Sequence, residues 1–277
     1  HDCDHYTSHC HDCPQLNSRK HRDMAYKIFD RKAQLLQGTN IRFVACSRWL
    51  GNMASNSRLL QGKKVTCIPN AININLFKPR NKQTCREALG LPQDKRLLLF
   101  SSHILSDERK GFHYLKEAVL RLTNDHPEWK DRLGLVLVGK DITPTSYQDI
   151  PLEAYPLNYI AEEKQLVDIY NAVDLFVIPS LQDNLPNTIV EAMACGIPCI
   201  GFNVGGIPEM IDHLHNGYVA EYKNVGDFAN GIHWLLTEGE YDILSREAAR
   251  KAANTYGESS VATKYISIYN QMTGKNE

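Results

Sequence analysis

Asp183 and Glu191 stand eight residues apart in the stretch DNLPNTIVEAMACGIPCIGF, residues 183–202. Carboxylates at such a spacing suit sugars and ribose, because a charged acceptor can hold two adjacent hydroxyls at once. Charge of the opposite sign sits in SSHILSDERKGFHYL, where Arg109 and Lys110 precede Gly111 and the predicted start of a helix. Cations there oppose the helix dipole, whose positive end prefers anions. The arrangement makes sense if a phosphate lies between them: the free N–H groups of the first turn would then join the two side chains in holding a diphosphate. Each feature also has a plainer reading. Asp107 and Glu108 could neutralise the basic pair on a wet surface, and Glu191 could mark a solvent-facing stripe with Thr188 and Cys195. Gly205 and Gly206 in GFNVGGIPEM could present N–H groups to an anion or simply form a left-handed turn. Lys140, after the run LGLVLVG, stands at a strand end, where a lone lysine is usually only solvated.

A third group is metal-binding in type. The opening HDCDHYTSHCHDCPQL holds Cys3, Cys10 and Cys13 among His1, His5, His9 and His11. Three thiolates and an imidazole can close a tetrahedral zinc site. No second C-x-x-C pair supports that, so the expected state is a structural, non-catalytic loop with unpaired thiols or one local disulfide, and no metal. Cys46, Cys67, Cys85, Cys195 and Cys199 are dispersed, mostly among apolar residues, as reduced buried thiols of a cytoplasmic protein would be.

The elements that must position these groups follow from the hydrophobic pattern. With 277 residues and 43% apolar content the chain can bury one large core or two modest ones. Lys and Arg (31) balance Asp and Glu (32), which removes any global attraction for nucleic acid or an acidic membrane, so an anion must be met by a local cluster. No apolar run reaches the roughly 20 residues of a membrane-spanning helix, and no signal-peptide pattern is present. Apolar β-branched runs at 41–47, 64–69, 96–102, 133–139, 174–180 and 197–202 read as strands buried on both faces. Helix-like stretches at 19–37, 48–60, 111–123, 162–172 and 187–195 alternate with them, Asn187 serving as N-cap of the last and Gly196 as its stop. This order implies right-handed crossovers, parallel sheets and a doubly wound α/β architecture, with ligands outside the carboxyl ends of the strands.

Pro69, Asn70 and Pro79 punctuate a segment without sustained period, so residues 70–95 read as a connection with a short helix near 83–89. Residues 1–69 are too few for a full Rossmann-like half and read as the remnant of one, and the start at His1 without Met suggests a piece of a longer protein. Residues 96–255 form the second domain, and the segment 256–277 is expected to be a helix packing back toward the first.

At this point the residues carry a resemblance. The RKG after a strand, the VG after the next, YNAVDLFVIPS, the D-x7-E pair, EAMACGIPCIGFNVGGIPEMI and NGYV resemble, in that order, the donor-binding domain of retaining GT-B glycosyltransferases of the glycogen-synthase-like family, the group 1 glycosyltransferases. CIPNAININLFKP is similar to that family's interdomain segment, and C-x6-C-x2-CPQL resembles a subset associated with capsule and exopolysaccharide synthesis. The likeness runs over nearly the whole chain. It implies an α/β GT-B fold, with Arg109 and Lys110 on the diphosphate, Asp183 on the donor hexose and Glu191 on the ribose. The backbone around Asn184, Leu185, Asn187 and Thr188 would line the sugar and phosphate pocket, and Gly139 would join the nucleotide contacts. The family usually has Glu where Asp183 stands and a Gly-aromatic-Gly turn where this chain has NLP, and Pro186 removes one N–H from that turn.

The implied reaction is transfer of a sugar from a nucleoside-diphosphate donor, UDP- or GDP-linked, to an acceptor hydroxyl with retention. The basic pair would stabilise charge on the departing diphosphate, with no cofactor or metal required. The implied acceptor is a glycan or lipid-linked glycan in cell-surface polysaccharide synthesis, at a cytoplasmic location that leaves peripheral association with the inner membrane face open. No nucleic-acid partner is expected. The family's acceptor-side glycine loop and catalytic-region His would lie upstream of the Cys-rich segment, so turnover by this chain alone is left open. Two rivals use the same crevice: a non-transferring sugar-nucleotide epimerase and a nucleotide-sugar-binding remnant.

Overall fold

The computed structural model describes residues 3–17 and 20–274. His1 and Asp2, the first residue of the helix expected from Arg19, and the end of the expected 256–277 segment lie outside the described residues. The chain divides into two compact units, His1–Ile68 and Pro69–Glu277.

In the first unit, α1 (Met24–Leu36) starts at Asp23, whose carboxylate accepts the N–H of Tyr26 and also that of Cys13, at 3.0 and 2.8 Å. Strands β1 (Phe43–Ala45) and β2 (Val65–Cys67) pair in parallel, Phe43 opposite Val65. Helix α2 (Arg48–Asn56) lies between them in sequence, capped by Ser47. Of the five dispersed cysteines expected to be buried, Cys85, Cys195 and Cys199 are, whereas Cys46 is half-buried and Cys67 exposed. Three-residue strands cannot cover both of their faces, and Val44 too is 39% exposed.

The second unit opens with α3 (Lys82–Leu89), capped by the Asn81 side chain on Thr84 N and closed by Gly90 in a left-handed conformation. Its six-stranded parallel sheet comprises β3 (Arg96–Ile104), β4 (Leu133–Lys140), β5 (Glu153–Leu157), β6 (Leu175–Ile178), β7 (Cys199–Phe202) and β8 (Gly217–Ala220). The spatial order is β5-β4-β3-β6-β7-β8. The connecting helices are α4 (Phe112–Asp125), α5 (Trp129–Arg132), α6 (Pro144–Tyr147), α7 (Glu163–Ala172), α8 (Asn187–Ala194) and α9 (Ile207–Met210), and α10 (Val225–Thr237), α11 (Tyr241–Tyr256) and α12 (Glu258–Thr273) follow β8.

Side-chain alternation along the strands builds a core on each face. Leu98, Phe100, Leu135, Leu137, Val177 and Ile200 pack with Leu115, Val119 and Leu122 of α4 and with Phe228 and Ile232 of α10. The alternate residues Leu97, Leu99, Val136, Phe176 and Cys199 are buried as well, toward the opposite face. Each such Leu or Phe contributes about 1.5–3 kcal/mol relative to exposure. Burial on both faces explains the continuous apolar runs of the central strands.

Strand order reverses between β3 and β6, which pair directly through Leu98–Leu175 and Leu99–Phe176. At such a reversal the loops leaving neighbouring strands run to opposite faces and leave a crevice at the carboxyl ends. The loops after β3 and β6 are the ones that carry Lys110 and Asp183.

Candidate functional site

The loop after β3 is anchored by Asp141, which accepts from Leu105 N at 2.8 Å and Ser106 Oγ at 2.6 Å. A single 3-10 turn, Glu108–Lys110, follows. Asp107 caps it by accepting from Arg109 N and also takes the Arg109 guanidinium in two bonds, Nη2–Oδ2 2.7 Å and Nε–Oδ1 3.2 Å. That guanidinium holds the Asp107 carboxyl below the ordinary range. Gly111 then turns left-handed at φ 69° and begins α4 without any side-chain cap, so the first turn's N–H groups face no side-chain acceptor. No other residue fits there: a Cβ would stand 1.9 Å from Pro179 O.

The loop after β6 closes on this turn. Leu181 N donates to Arg109 O at 2.7 Å, and Lys110 Nζ meets Asp183 Oδ2 at 2.7 Å across 73 positions of sequence. The side chains of that pair are only 29% and 16% exposed. Of the plainer reading of the basic pair, then, half is seen: Asp107 does neutralise Arg109, whereas Lys110 is taken by Asp183. The glycine pair of the loop after β7 forms a plain turn. Gly205 is left-handed at φ 60°, a Cβ there would stand 1.8 Å from Asp183 O, and Gly206 N donates to that same oxygen at 3.2 Å. These glycines hold the Asp183 loop in place.

The other expected contact residues fall around this loop. Asn184 N bonds to Asp183 Oδ1 at 3.1 Å, Leu185 is buried and Thr188 is half-buried. Asn187 is the first helical residue of α8 and not its N-cap, a position held by Pro186, and its side chain instead accepts from Asn70 Nδ2 at 3.1 Å. Proline suits that end because no backbone N–H is required there. Gly139 is the penultimate residue of β4, where a Cβ would stand 2.3 Å from Ser102 O, so its position is set by close approach of the β3 end.

Glu191 occupies the second turn of α8 and lies apart from the lysine–aspartate pair. Its Oε2 accepts the hydroxyl of Tyr170 from α7 at 2.7 Å. Burial pushes the Glu191 carboxyl up, an effect the Tyr170 bond opposes and Glu163 reinforces. With Asn70, Asn73, Phe77, Glu163 and Asn187 it lines a cavity of about 170 Å³. Cys195 is buried and Thr188 half-buried, so there is no solvent-facing stripe. Ile189, Val190, Ala192, Met193 and Ala194 of the same helix are buried, and a partly desolvated carboxylate among them requires partners.

Sequence reasoning missed three features. Tyr170, which donates to Glu191, was not singled out. Lys140 is not merely solvated, since its Nζ lies 4.7 Å above the ring of Tyr159, which His103 also meets edge-on at 5.2 Å, a cation and two rings gathered at the carboxyl ends of β3, β4 and β5. Ser180, on the loop after β6, is the buried side chain whose polar atom has no hydrogen-bond partner among the described residues. Only the first had a usable signal, a tyrosine on the helix preceding a buried strand.

The three expected thiols Cys3, Cys10 and Cys13 are free and half-buried. Burial, and then the neighbouring Cys3 and Cys13, push the Cys10 thiol up. Among the described residues, the metal-ligand atoms that all lie within 4.8 Å of one another belong to His11, Asp12 and His21, and not to these cysteines.

Comparison with known proteins supplies a family. The chain is 28% identical over 220 residues to a D-inositol 3-phosphate glycosyltransferase of Thermobispora bispora, covering 76% of this chain and 51% of that protein. It spans about half the length of the curated relatives it matches. Among solved structures, sucrose-phosphate synthase from Thermosynechococcus elongatus superposes with a TM-score of 0.73 at 20% identity, covering 95% of this chain and 65% of that one. Anabaena Alr3699/HepE in complex with UDP-glucose superposes with a TM-score of 0.65 at 20% identity, covering 83% and 64%. These likenesses establish the fold, the α/β architecture of GT-B glycosyltransferases. The model of the family described as glycosyl transferases group 1 matches residues 95–238, just over half of the chain, with Lys110, Asp183 and Glu191 inside the match, and the chain belongs to that family.

Proposed function

We propose that the chain is the donor-binding part of a retaining glycosyltransferase that moves a sugar from a nucleoside-diphosphate donor to an acceptor hydroxyl. The observation that carries this reading is the Lys110–Asp183 pair, set at the strand-order reversal beside an uncapped helix start. A diphosphate arriving at the first turn of α4 would draw Lys110 from Asp183 and Arg109 from Asp107. Its charge exceeds that of either carboxylate, and helical N–H groups add to the two cations. Asp183, released from its lysine, then has a free carboxylate for hexose hydroxyls. Glu191 gives one oxygen to Tyr170 and keeps capacity for the ribose diol. On departure of the sugar, Arg109 and Lys110 would stabilise the charge left on the diphosphate, a fixed electrostatic contribution that needs no resident cofactor.

UDP is favoured as the nucleotide by the solved relative that binds UDP-glucose. The Cys-rich opening supports a capsule- or exopolysaccharide-type acceptor, glycan or lipid-linked, met at the cytoplasmic face of a membrane. No helix among the described residues is long and apolar enough to cross a membrane. Residues 1–69 would be the acceptor-side remnant, and 96–255 the donor domain.

Calorimetry with UDP, GDP and ADP tests the reading. Wild type should bind one of them, and Arg109→Ala with Lys110→Ala should weaken binding by roughly 10–100-fold. That is less than two full charged hydrogen bonds, at about 1.5–3 kcal/mol each, because both cations first leave a carboxylate. Unchanged affinity in the folded double variant would sink the assignment. Retention is read from the anomeric configuration of the product.

A further inference from the structure

Among the described residues, the His-rich opening brings His11, Asp12 and His21 together as ligand-type side chains, their nitrogen and oxygen atoms all within 4.8 Å of one another. His11 Nδ1 lies 2.8 Å and His21 Nδ1 2.5 Å from the same oxygen, Oδ2 of Asp12. The two rings approach to 4.6 Å between centroids at 49°, so they flank the carboxylate without stacking on each other. His11 is held from behind by His5, whose ring stacks on it at 4.5 Å and whose Nδ1 lies 2.7 Å from the His11 carbonyl. Asp12 is left-handed at φ 42°, a conformation that Asp tolerates better than most residues. One carboxylate oxygen facing two imidazole nitrogens is a donor set that a metal ion can use.

We propose that His11 Nδ1, His21 Nδ1 and the Asp12 carboxylate bind a zinc-class divalent cation. Imidazole with carboxylate is a borderline donor set that suits such a metal, at distances of about 2.0–2.2 Å. Around a tetrahedral centre of that size the ligand atoms stand about 3.3 Å apart, so the present 2.5 and 2.8 Å require each exposed ring to swing outward by less than an ångström. Each ring then presents an unprotonated Nδ1 and keeps its proton on Nε2. The three side chains are 32%, 65% and 50% exposed, which leaves the fourth position to water. The ion fastens the turn at residues 11–12 to His21. It works beside the Asp23 carboxylate, which fastens Cys13 to the start of α1. This departs from the expectation of a metal-free segment, and from thiols as the ligands if a metal were bound.

The test uses the full chain stripped with chelator and titrated with Zn²⁺ against a competing chromophoric chelator, together with Co²⁺ absorption. One equivalent should bind, His21→Ala and Asp12→Asn should each weaken it by roughly 100-fold or more, and Cys10→Ser with Cys13→Ser should leave it unchanged. The cobalt form should show weak visible bands and no strong thiolate-to-metal charge transfer. Absence of stoichiometric binding, unchanged affinity in His21→Ala, or a thiolate band abolished by the cysteine variant would each overturn the proposal.

Discussion

Strand β6 has an aspartate beyond each of its ends, and the two are opposite in character. Asp174, at the amino end, accepts from Lys82 Nζ, Arg86 Nη2, Arg96 Nη1 and Leu97 N at 2.7, 2.7, 3.1 and 2.7 Å and is 1% exposed. A carboxylate has about four acceptor sites, and here all are used. Asp183, beyond the carboxyl end, takes one lysine and the adjacent Asn184 N–H and keeps capacity unspent. Arg86 shows the same saturation as Asp174: its guanidinium also donates to the carbonyls of Ala172, Pro92 and Lys95. A polar network satisfied within the protein fixes the fold, whereas charge held on one partner beside a crevice is available to a ligand.

The largest way to break this comparison is at the saturated end. Asp174→Ala leaves Arg86 buried without its counter-charge and should cost about 3–5 kcal/mol of stability by denaturant unfolding. Burial alone would raise the Asp174 carboxyl, but Lys82, Leu97 N–H and Arg86 overcome it and leave it below the ordinary value. Its contribution is therefore present above the unfolded carboxylate value, near 3.9, and lost as pH falls through the depressed folded value. A stability curve without that acid limb, or one unchanged by the substitution, would contradict the structural role.

Glu191 should behave in the opposite sense, with a smaller effect. Its carboxyl is raised in the folded state, which therefore keeps a proton that the unfolded chain releases, and stability falls as pH rises from the unfolded value through the raised one. Glu191→Gln should remove that loss and raise Tm at neutral pH while weakening ribonucleotide binding by roughly 10–100-fold. Wild type should discriminate against the 2′-deoxynucleotide and the variant much less, because both changes remove one interaction and cannot add. Additive losses would assign the ribose elsewhere.

The same contrast explains what was legible in the sequence. Strands β3, β4, β6 and β7 are central, buried on both faces, and announce themselves as continuous apolar runs. The two strands not anticipated, β5 and β8, are the sheet edges: EAYPL is half-exposed and contains Pro156, which an edge strand tolerates, and GYVA is four residues long. Helices α10 and α11 were also passed over, the first because Gly226 and Gly231 interrupt its pattern; Gly231 is needed where a Cβ would strike Tyr218 at 2.5 Å. The loops after β3 and β6, which carry Lys110 and Asp183, were legible because each follows a continuous apolar run; that the two strands are neighbours was shown only by the sheet order. The partners were not legible. Lys110–Asp183 and Tyr170–Glu191 join residues 73 and 21 positions apart, and no local pattern encodes which acid meets which donor.

One paired measurement tests the division most directly: Tm and nucleotide affinity, read together on Lys82→Met and Lys110→Met. Both remove a lysine from an aspartate 2.7 Å away with similar exposure, 33% and 29%, at opposite ends of β6. Lys82→Met should lower Tm by roughly 2–6 °C, for a loss of about 1–1.5 kcal/mol, and bind UDP as wild type does. Lys110→Met should leave Tm within about 1 °C and weaken UDP by about tenfold or more. Equal losses of Tm in the two variants, or wild-type UDP affinity in Lys110→Met, would contradict the assignment of the carboxyl end to the ligand.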